Sequence, residues 1–423
     1  MQMVTAGAVA LIAQAAGRKD FVAADLVFNQ SLSLAGLCVP ATLLAGYTLT
    51  APFMQAVAAD YATARAGSDY LYWLMPGLAL QFPLAAMTAA LRGTGVVKPT
   101  MTVQILAVTV NTVLAPILIA GWGTHYPLGV AGAGLASTIA IAVGTLVLSI
   151  YFRRLNELLT FQLRELRPRL ATWWQILAIG LPTGGEYLLL FVVSAIIYRA
   201  IHDFGPDAQA GFGAAWRVMQ ALFLPALALA FAVTPVVGQN FGARQPARVR
   251  QTFNTALILA LLVMVLLAVL CRMVPDYLLV PFVGGRQALE AGRTFLQVAC
   301  WSFVPSGIVF VCCGLFNGLG NTWPTLLASG LRVLVFAVVA YFLTSSPGFA
   351  PKLLWKASVL TVFLQMLLAL LLAGRELRSP RLSEQTLHWF ATGQCEPKLR
   401  AVPRIAAGLP LTTPFSKDPF VIN

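Results

Sequence analysis

The sequence has 423 residues, of which 59% are hydrophobic and only 10% charged, with a net charge of +13 and a mean hydropathy of +0.80. A soluble domain carries about 25% charged residues, so a soluble protein is excluded, and the apolar runs lack the alternation of a membrane β-barrel. The Lys and Arg residues fall mostly in the breaks between apolar runs, so the positive charge reports membrane topology and not a nucleic-acid surface.

Met1 opens directly into MQMVTAGAVALIAQAAG, an apolar stretch too short to span a bilayer and without the basic start of a signal peptide. It reads as the second half of a helix. Runs of bilayer length follow at about 31–52, 70–91, 99–121, 128–151, 173–200, 211–238, 251–271, 293–315, 323–343 and 353–373. The expectation is ten full spans and one partial span. The break at 153–172 (RRLNELLTFQLRELRPRLAT) mixes Leu with Arg and predicts an amphipathic helix on the membrane surface that links two lobes. From 374 onward the chain turns polar and Pro-containing, which predicts a tail without fixed structure.

Alternate loops differ sharply in charge. One side holds Arg18 and Lys19, Arg92 and Lys98, Arg153, Arg154, Arg164, Arg167 and Arg169, then Arg244, Arg248 and Arg250, with Arg375, Arg378 and Arg381 after the last span. The other side has Arg65, Arg272, Arg286, Lys352 and little else. The positive-inside rule makes the first side cytoplasmic, and with it the C-terminus. A plasma membrane location, the inner membrane of a bacterium, is expected. Six scattered cysteines form no CxxC pair and the three histidines no metal spacing, so neither zinc, a disulfide framework nor a cofactor is expected.

A shift of 225 aligns the chain with itself. Gln14 falls on Gln239, Gly17 on Gly242 and Asn29 on Asn254. LRGTGVVKPT (91–100) overlays FNGLGNTWPT (316–325), pairing Gly93 with Gly318, Gly95 with Gly320, Pro99 with Pro324 and Thr100 with Thr325. One offset across separated motifs indicates a duplicated unit, with a substrate site between its halves. The second unit opens near Trp173, so the offset places the start of the first about fifty residues before Met1. The expectation is a first repeat lacking one helix and half of the next. Six helices per unit make the repeats parallel, about an axis along the membrane normal. The predicted fold is therefore an all-α polytopic membrane protein of two parallel six-helix repeats forming two lobes. Its divisions are a truncated N-terminal lobe at 1–152, a linker at 153–172, a C-terminal lobe at 173–373 and a tail at 374–423.

Glu186 is the one acidic residue inside these runs. A charge at mid-bilayer costs about 2.5–3.5 kcal/mol on insertion scales, so such residues face a bundle interior and mark ion or substrate pathways. Pro182 removes one helix hydrogen bond just before it, and Thr183, Gly184 and Gly185 keep its surroundings small. A glutamate paired with an arginine for packing is the plainer alternative. Arg332 also lies deep in a span, as a partner of Glu186, an element of the substrate field or a packing group. Asn111 and Ser306 are polar groups in apolar runs, suited equally to interhelical hydrogen bonds and to a site. Tyr187 and Tyr198 fit a cleft or a lipid face, and Arg217 an interface. Gln14 and Gln239, with their following glycines, read as helix ends.

Four stretches carry a resemblance: GLPTGGEYLLL (180–190), VTPVVGQNFGARQ (233–245), NTVLAPILIAGWG with PLGVAGAGLAS (111–137), and GLFNGLGNTWPT (314–325). Together they resemble the multidrug and toxic compound extrusion (MATE) transporters over nearly the whole chain to about residue 373. The resemblance implies twelve helices in two lobes around a cleft, and exchange of entering H⁺ or Na⁺ for departing amphiphiles that are often cationic. Glu186 matches the acidic residue of the family's seventh helix, which takes part in cation coupling. The family's second carboxylate of that lobe falls on Ser306, and in the N-terminal lobe Asn111 is kept while Ala115 stands where some members have Asp. One carboxylate without an acidic partner favours H⁺ over Na⁺ as the coupling ion.

The function expected is secondary antiport of a small amphiphilic substrate by a monomer embedded in lipid, with no nucleic-acid partner and no enzymatic activity. A flippase for lipids or lipid-linked oligosaccharides is the alternative of similar architecture, and would want several arginines in the cleft. A transport-incompetent fragment is another. A polytopic membrane enzyme would need a His, Asp or Glu cluster at membrane-edge loops, which the sequence lacks.

Overall fold

In lipid a chain must satisfy its own backbone hydrogen bonds. The computed structural model describes residues 1–58, 60–122, 126–154 and 159–379, and its regular structure there is entirely helical. The N-terminal half holds α1 (Gln2–Gly17), α2 (Phe21–Val57), α3 (Tyr61–Thr94), α4 (Lys98–Ala120) and α5 (Val130–Arg154). The second half holds α6 (Leu170–Ala200), α7 (Pro206–Gly242), α8 (Pro246–Met273), the short α9 (Pro275–Leu279), α10 (Arg286–Ala299), α11 (Phe303–Leu319), α12 (Trp323–Thr344) and α13 (Pro351–Arg378). Ten helical stretches are long and apolar enough to cross a membrane, with α10 and α11 counted as one, and α1 is the shorter apolar helix. They coincide with the ten full runs and the partial run read from the sequence.

Local chemistry sets the helix ends. Asp20 and Asp60 cap α2 and α3 by accepting the N–H groups of Ala23 at 3.0 Å and Thr63 at 2.7 Å. The bond from Thr63 holds the exposed Asp60 carboxyl below its ordinary value. Proline stands in the first turn of α4, α7, α8, α12 and α13, where its missing N–H costs nothing. Gly95 and Gly320 close α3 and α11 at φ +85° and +76°, a conformation that suits glycine alone. These two glycines are equivalent under the 225 shift.

The repeat holds helix by helix. Shifted by 225, α4 falls on 323–345 and α12 occupies Trp323–Thr344, while α3 falls on 286–319, the extent of α10 through α11. The second copy differs by a 3-10 turn at Cys300–Ser302. One buried core joins α1 to α5, with Phe28, Leu91 and Leu148 at its centre and Ile176 of α6 packed in. Two others lie in the second half, around Phe212, Phe303 and Phe336, and around Val237, Leu315 and Phe316. The exposed faces carry Leu, Ile and Val, such as Ile105 and Val108 on α4 and Leu327 and Leu334 on α12, as a lipid solvent requires.

Among the described residues of 153–172, the continuous amphipathic linker helix expected from the sequence is replaced by shorter pieces. The α5 helix runs to Arg154, a 3-10 turn covers Leu163–Leu166, and α6 begins at Leu170. The cause is a row of polar side chains on α2. Asn29 donates to the Thr160 carbonyl at 2.9 Å and accepts the Gln162 N–H at 3.0 Å. Gln30 donates to the Glu165 and Arg167 carbonyls at 2.5 and 2.8 Å and accepts the Arg169 N–H at 2.8 Å. Asp25 accepts both the N–H and the hydroxyl of Thr160. Backbone groups that would have closed a helix are satisfied by side chains instead. At the other end α13 continues to Arg378, five residues past the expected span. The tail beyond 379, with His388 and Cys395, and His125 lie outside the described residues.

Candidate functional site

Glu186 sits half-way along α6, on the side that meets α11 and α12. Its position follows from two rungs between α6 and α11. Thr183 donates from its hydroxyl to Asn317 Oδ1 at 3.0 Å, and one turn further Cys313 Sγ stands 3.8 Å from Glu186 Oε2 as a weak donor. Thr183 and Glu186 share one face of α6, and Cys313 and Asn317 share one face of α11. From α12, the Thr325 hydroxyl stands beside the same carboxylate, although its proton goes to the Thr322 carbonyl at 2.7 Å. Glu186 Oε1 is buried and has no hydrogen-bond partner. Gly184 and Gly185 admit this packing: a Cβ on Gly185 would come to 3.0 Å from Leu326, and one on Gly184 would strike Met3 of α1.

Arg332 occupies the same protein-facing side of α12, seven residues beyond Thr325, which is about 10 Å along a helix. It donates from Nη1 to Gln365 Oε1 of α13 at 3.2 Å, and Gln365 in turn donates to Ser329 Oγ at 2.9 Å. Arg332 Nε is buried without a partner. Neither Glu186 nor Arg332 takes part in an ion pair; the ion pairs among the described residues are Arg169–Glu165, His202–Asp203 and Arg293–Asp276. The second half of the molecule thus holds a carboxyl group and a guanidinium inside its membrane helices, neither of them in an ion pair among the described residues.

The other residues singled out from the sequence disperse. Ser306 shares the α11 face of Cys313 but lies seven residues earlier, again about 10 Å away. Asn111 donates to Ser137 Oγ at 3.0 Å and ties α4 to α5 in the first half, apart from Glu186. Tyr187 is half-buried beside Glu186. Tyr198 packs edge-on against Phe212 at 5.1 Å, and Arg217 is exposed on α7. Cys313, Asn317 and Thr325 escaped notice as neighbours of Glu186. The spacing of Ser306, Cys313 and Asn317 on one helix face was the available signal, since a buried cysteine by itself reads as packing. No group of three His, Cys, Asp or Glu residues able to hold a metal ion occurs among the described residues. In the first half, α2 and α3 border an open apolar groove lined by residues such as Leu49, Phe53, Met75 and Phe82.

The chain is similar to known proteins over most of its length. The MatE family model matches residues 1–117 and 182–342. The multidrug export protein MepA of Staphylococcus haemolyticus is 26% identical over 376 residues, covering 86% of this chain and 80% of that protein. An FAD transporter of Shewanella oneidensis is 25% identical over 316 residues, covering 74% and 69%. Among solved structures, a MOP superfamily transporter from Pyrococcus furiosus superposes with a TM-score of 0.82 at 20% identity, covering 90% of this chain and 85% of that one.

Proposed function

Because the chain belongs to the MatE family, whose members are membrane transporters and not enzymes, we propose that it exports amphiphilic, often cationic, small molecules in exchange for protons, with Glu186 as the coupling group. The observation that carries this reading is the lone carboxylate of α6, buried at Oε1 and faced by Cys313 and Thr325 instead of by a cation. An uncompensated charge in such surroundings is costly, so the site favours states in which a proton or a cation occupies it. Na⁺ is the less fitting occupant: it asks for several converging oxygens, and Ser306, where the family has a second carboxylate, is two helical turns from Cys313. The multidrug export protein MepA, as a relative, supports the proposed substrate class.

The test is uptake of a fluorescent cation into inverted vesicles. A pH gradient is expected to drive uptake by the wild type, and Glu186→Gln to abolish it while leaving the protein folded in the membrane. Transport that strictly requires Na⁺ overturns the ion. Wild-type export by the glutamine variant overturns the role of Glu186.

A second reading has its own support. Arg332 is a buried cation whose Nε has no partner, and one relative is an FAD transporter, so an anionic cargo would find a counter-charge at Arg332. A flippase of pyrophosphate-linked lipids is less well supported, because among the described residues Arg332 is the one arginine with a buried, unpartnered guanidinium nitrogen. We further place the division between lobes at the 153–172 segment, the arginine-rich pole in the cytoplasm and the protein in the plasma membrane as a monomer.

A further inference from the structure

The arginine-rich pole of the bundle is closed by contacts that obey the internal repeat. Gln14, in the last turn of α1, donates from Nε2 to the Gly318 carbonyl of α11 at 3.0 Å. Gln239, its equivalent at the end of α7, donates from Nε2 to the Gly93 carbonyl of α3 at 2.8 Å. Gly93 and Gly318 are themselves equivalents under the 225 shift. Each glutamine of one half therefore bonds the end of a helix in the other half, twice over, about one pseudo-two-fold axis.

The backbones around these bonds leave no room for a side chain. A Cβ on Gly17 would strike the Gln239 carbonyl, and one on Gly242 would strike the Gln14 carbonyl. On the axis, Gly238 meets Ala13, its own repeat equivalent, with 2.8 Å from a would-be Cβ to the Ala13 Cβ. Gly95 and Gly320, in the left-handed conformation, would carry a Cβ only 3.3 Å and 3.2 Å from the amide nitrogens of Gln239 and Gln14. Four helix ends thus converge on two amide groups.

We propose that Gln14 and Gln239 are the gating residues of the transport cycle: their reciprocal hydrogen bonds seal the arginine-rich pole, and that pole opens by breaking both. The chemistry suits a reversible seal. The acceptors are carbonyls in the final turns of α3 and α11, where helix carbonyls run out of backbone donors and water can replace a lost amide. Both bonds are neutral, so their rupture leaves no stranded charge. The remaining polar contact between the halves here is Arg92 of α3, which donates to the Phe231 carbonyl at 3.4 Å with its guanidinium 4.7 Å from the Phe231 ring centre. It has no symmetric mate, because Asn317 stands at the equivalent position and bonds Thr183. The close approach of α1 to α6, Gly7 on Ile176 and Gly180 on Met3, is made by apolar residues and backbone, with no side-chain hydrogen bond to break among the described residues.

The test uses the full-length protein in nanodiscs with spin labels at Lys98 and Trp323, two exposed equivalents at the starts of α4 and α12, in a cysteine-depleted background. The wild type is expected to give a dominant short distance. Gln14→Ala/Gln239→Ala is expected to move the closed-to-open ratio roughly tenfold toward a longer one, as for the loss of two neutral hydrogen bonds. Gln14→Glu/Gln239→Glu keeps the volume and removes the donor, and is expected to do the same, which covers the case in which the alanine variant fails to fold. An unchanged distance distribution in a folded, monodisperse variant of either kind overturns the gate. The readout involves neither substrate nor Glu186, so its outcome is independent of the proposed proton coupling.

Discussion

A carboxyl group and a guanidinium lie without an ion-pair partner within membrane helices of the same half. Glu186 and Arg332 are separated by about two turns of α12, too far for an ion pair, and each is surrounded by neutral groups such as Cys313, Thr325, Gln365 and Ser329. Removing one member of a buried pair strands the other, but here each is already alone, so the two are separable by mutation. Arg332→Leu is expected to abolish transport of anionic test substrates while sparing cationic ones, whereas a packing role predicts equal losses for both. Competition assays with a flavin nucleotide and a cationic dye distinguish these outcomes. Of the residues at this scale, Glu186 stands out in the sequence because a carboxylate in an apolar run is rare and costly, and its plainer explanation, an arginine partner, is absent among the described residues. Cys313 does not, because a cysteine in an apolar run reads as packing, and only its register opposite Glu186 gives it meaning.

At the scale of elements, α2 does more than cross the membrane. Asn29 and Gln30 are buried on α2, and their amides bond backbone groups of Thr160, Gln162, Glu165, Arg167 and Arg169 ahead of α6. Gln30→Ala leaves the Glu165 and Arg167 carbonyls and the Arg169 N–H without their partner. The expected cost is about 1–3 kcal/mol, seen as a lower melting midpoint in detergent, while Gln162→Ala, whose amide bonds only the exposed Thr160 hydroxyl, changes little. The linker's leucines and arginines have a helical look in sequence. What overrides it is the supply of side-chain partners from α2, 130 residues earlier in the chain, which no local pattern reveals.

At the scale of the whole molecule, the duplication governs the architecture. The same offset that aligns LRGTGVVKPT with FNGLGNTWPT also aligns α4 with α12, and α3 with α10 through α11. It makes the two glutamine contacts at the arginine-rich pole a single device instead of two coincidences. Orientation follows from the same pole: Arg18, Arg92, Arg153, Arg244 and Arg375 all lie at or next to helix ends on that side. A fluorescent protein fused after Arg378 is therefore expected to fold and fluoresce, and alkaline phosphatase at the same point to be inactive. The reverse pattern would invert the topology and place the gate on the outer face.

The sequence by itself determined the class of the protein, its ten spans, its repeat and the one carboxylate inside those spans. Each of these is written in patterns that lipid or duplication imposes locally: apolar length, loop charge, a constant offset, a charge where none is affordable. Only the tertiary structure decided which groups face Glu186, which backbone groups Asn29 and Gln30 bond, and where the amides of Gln14 and Gln239 reach. In each case the partners are distant in the chain and of ordinary type, a cysteine, a backbone carbonyl, a glycine. Their significance comes from the closeness of two helices, and helix packing in a membrane is set by the fit of many small residues at once.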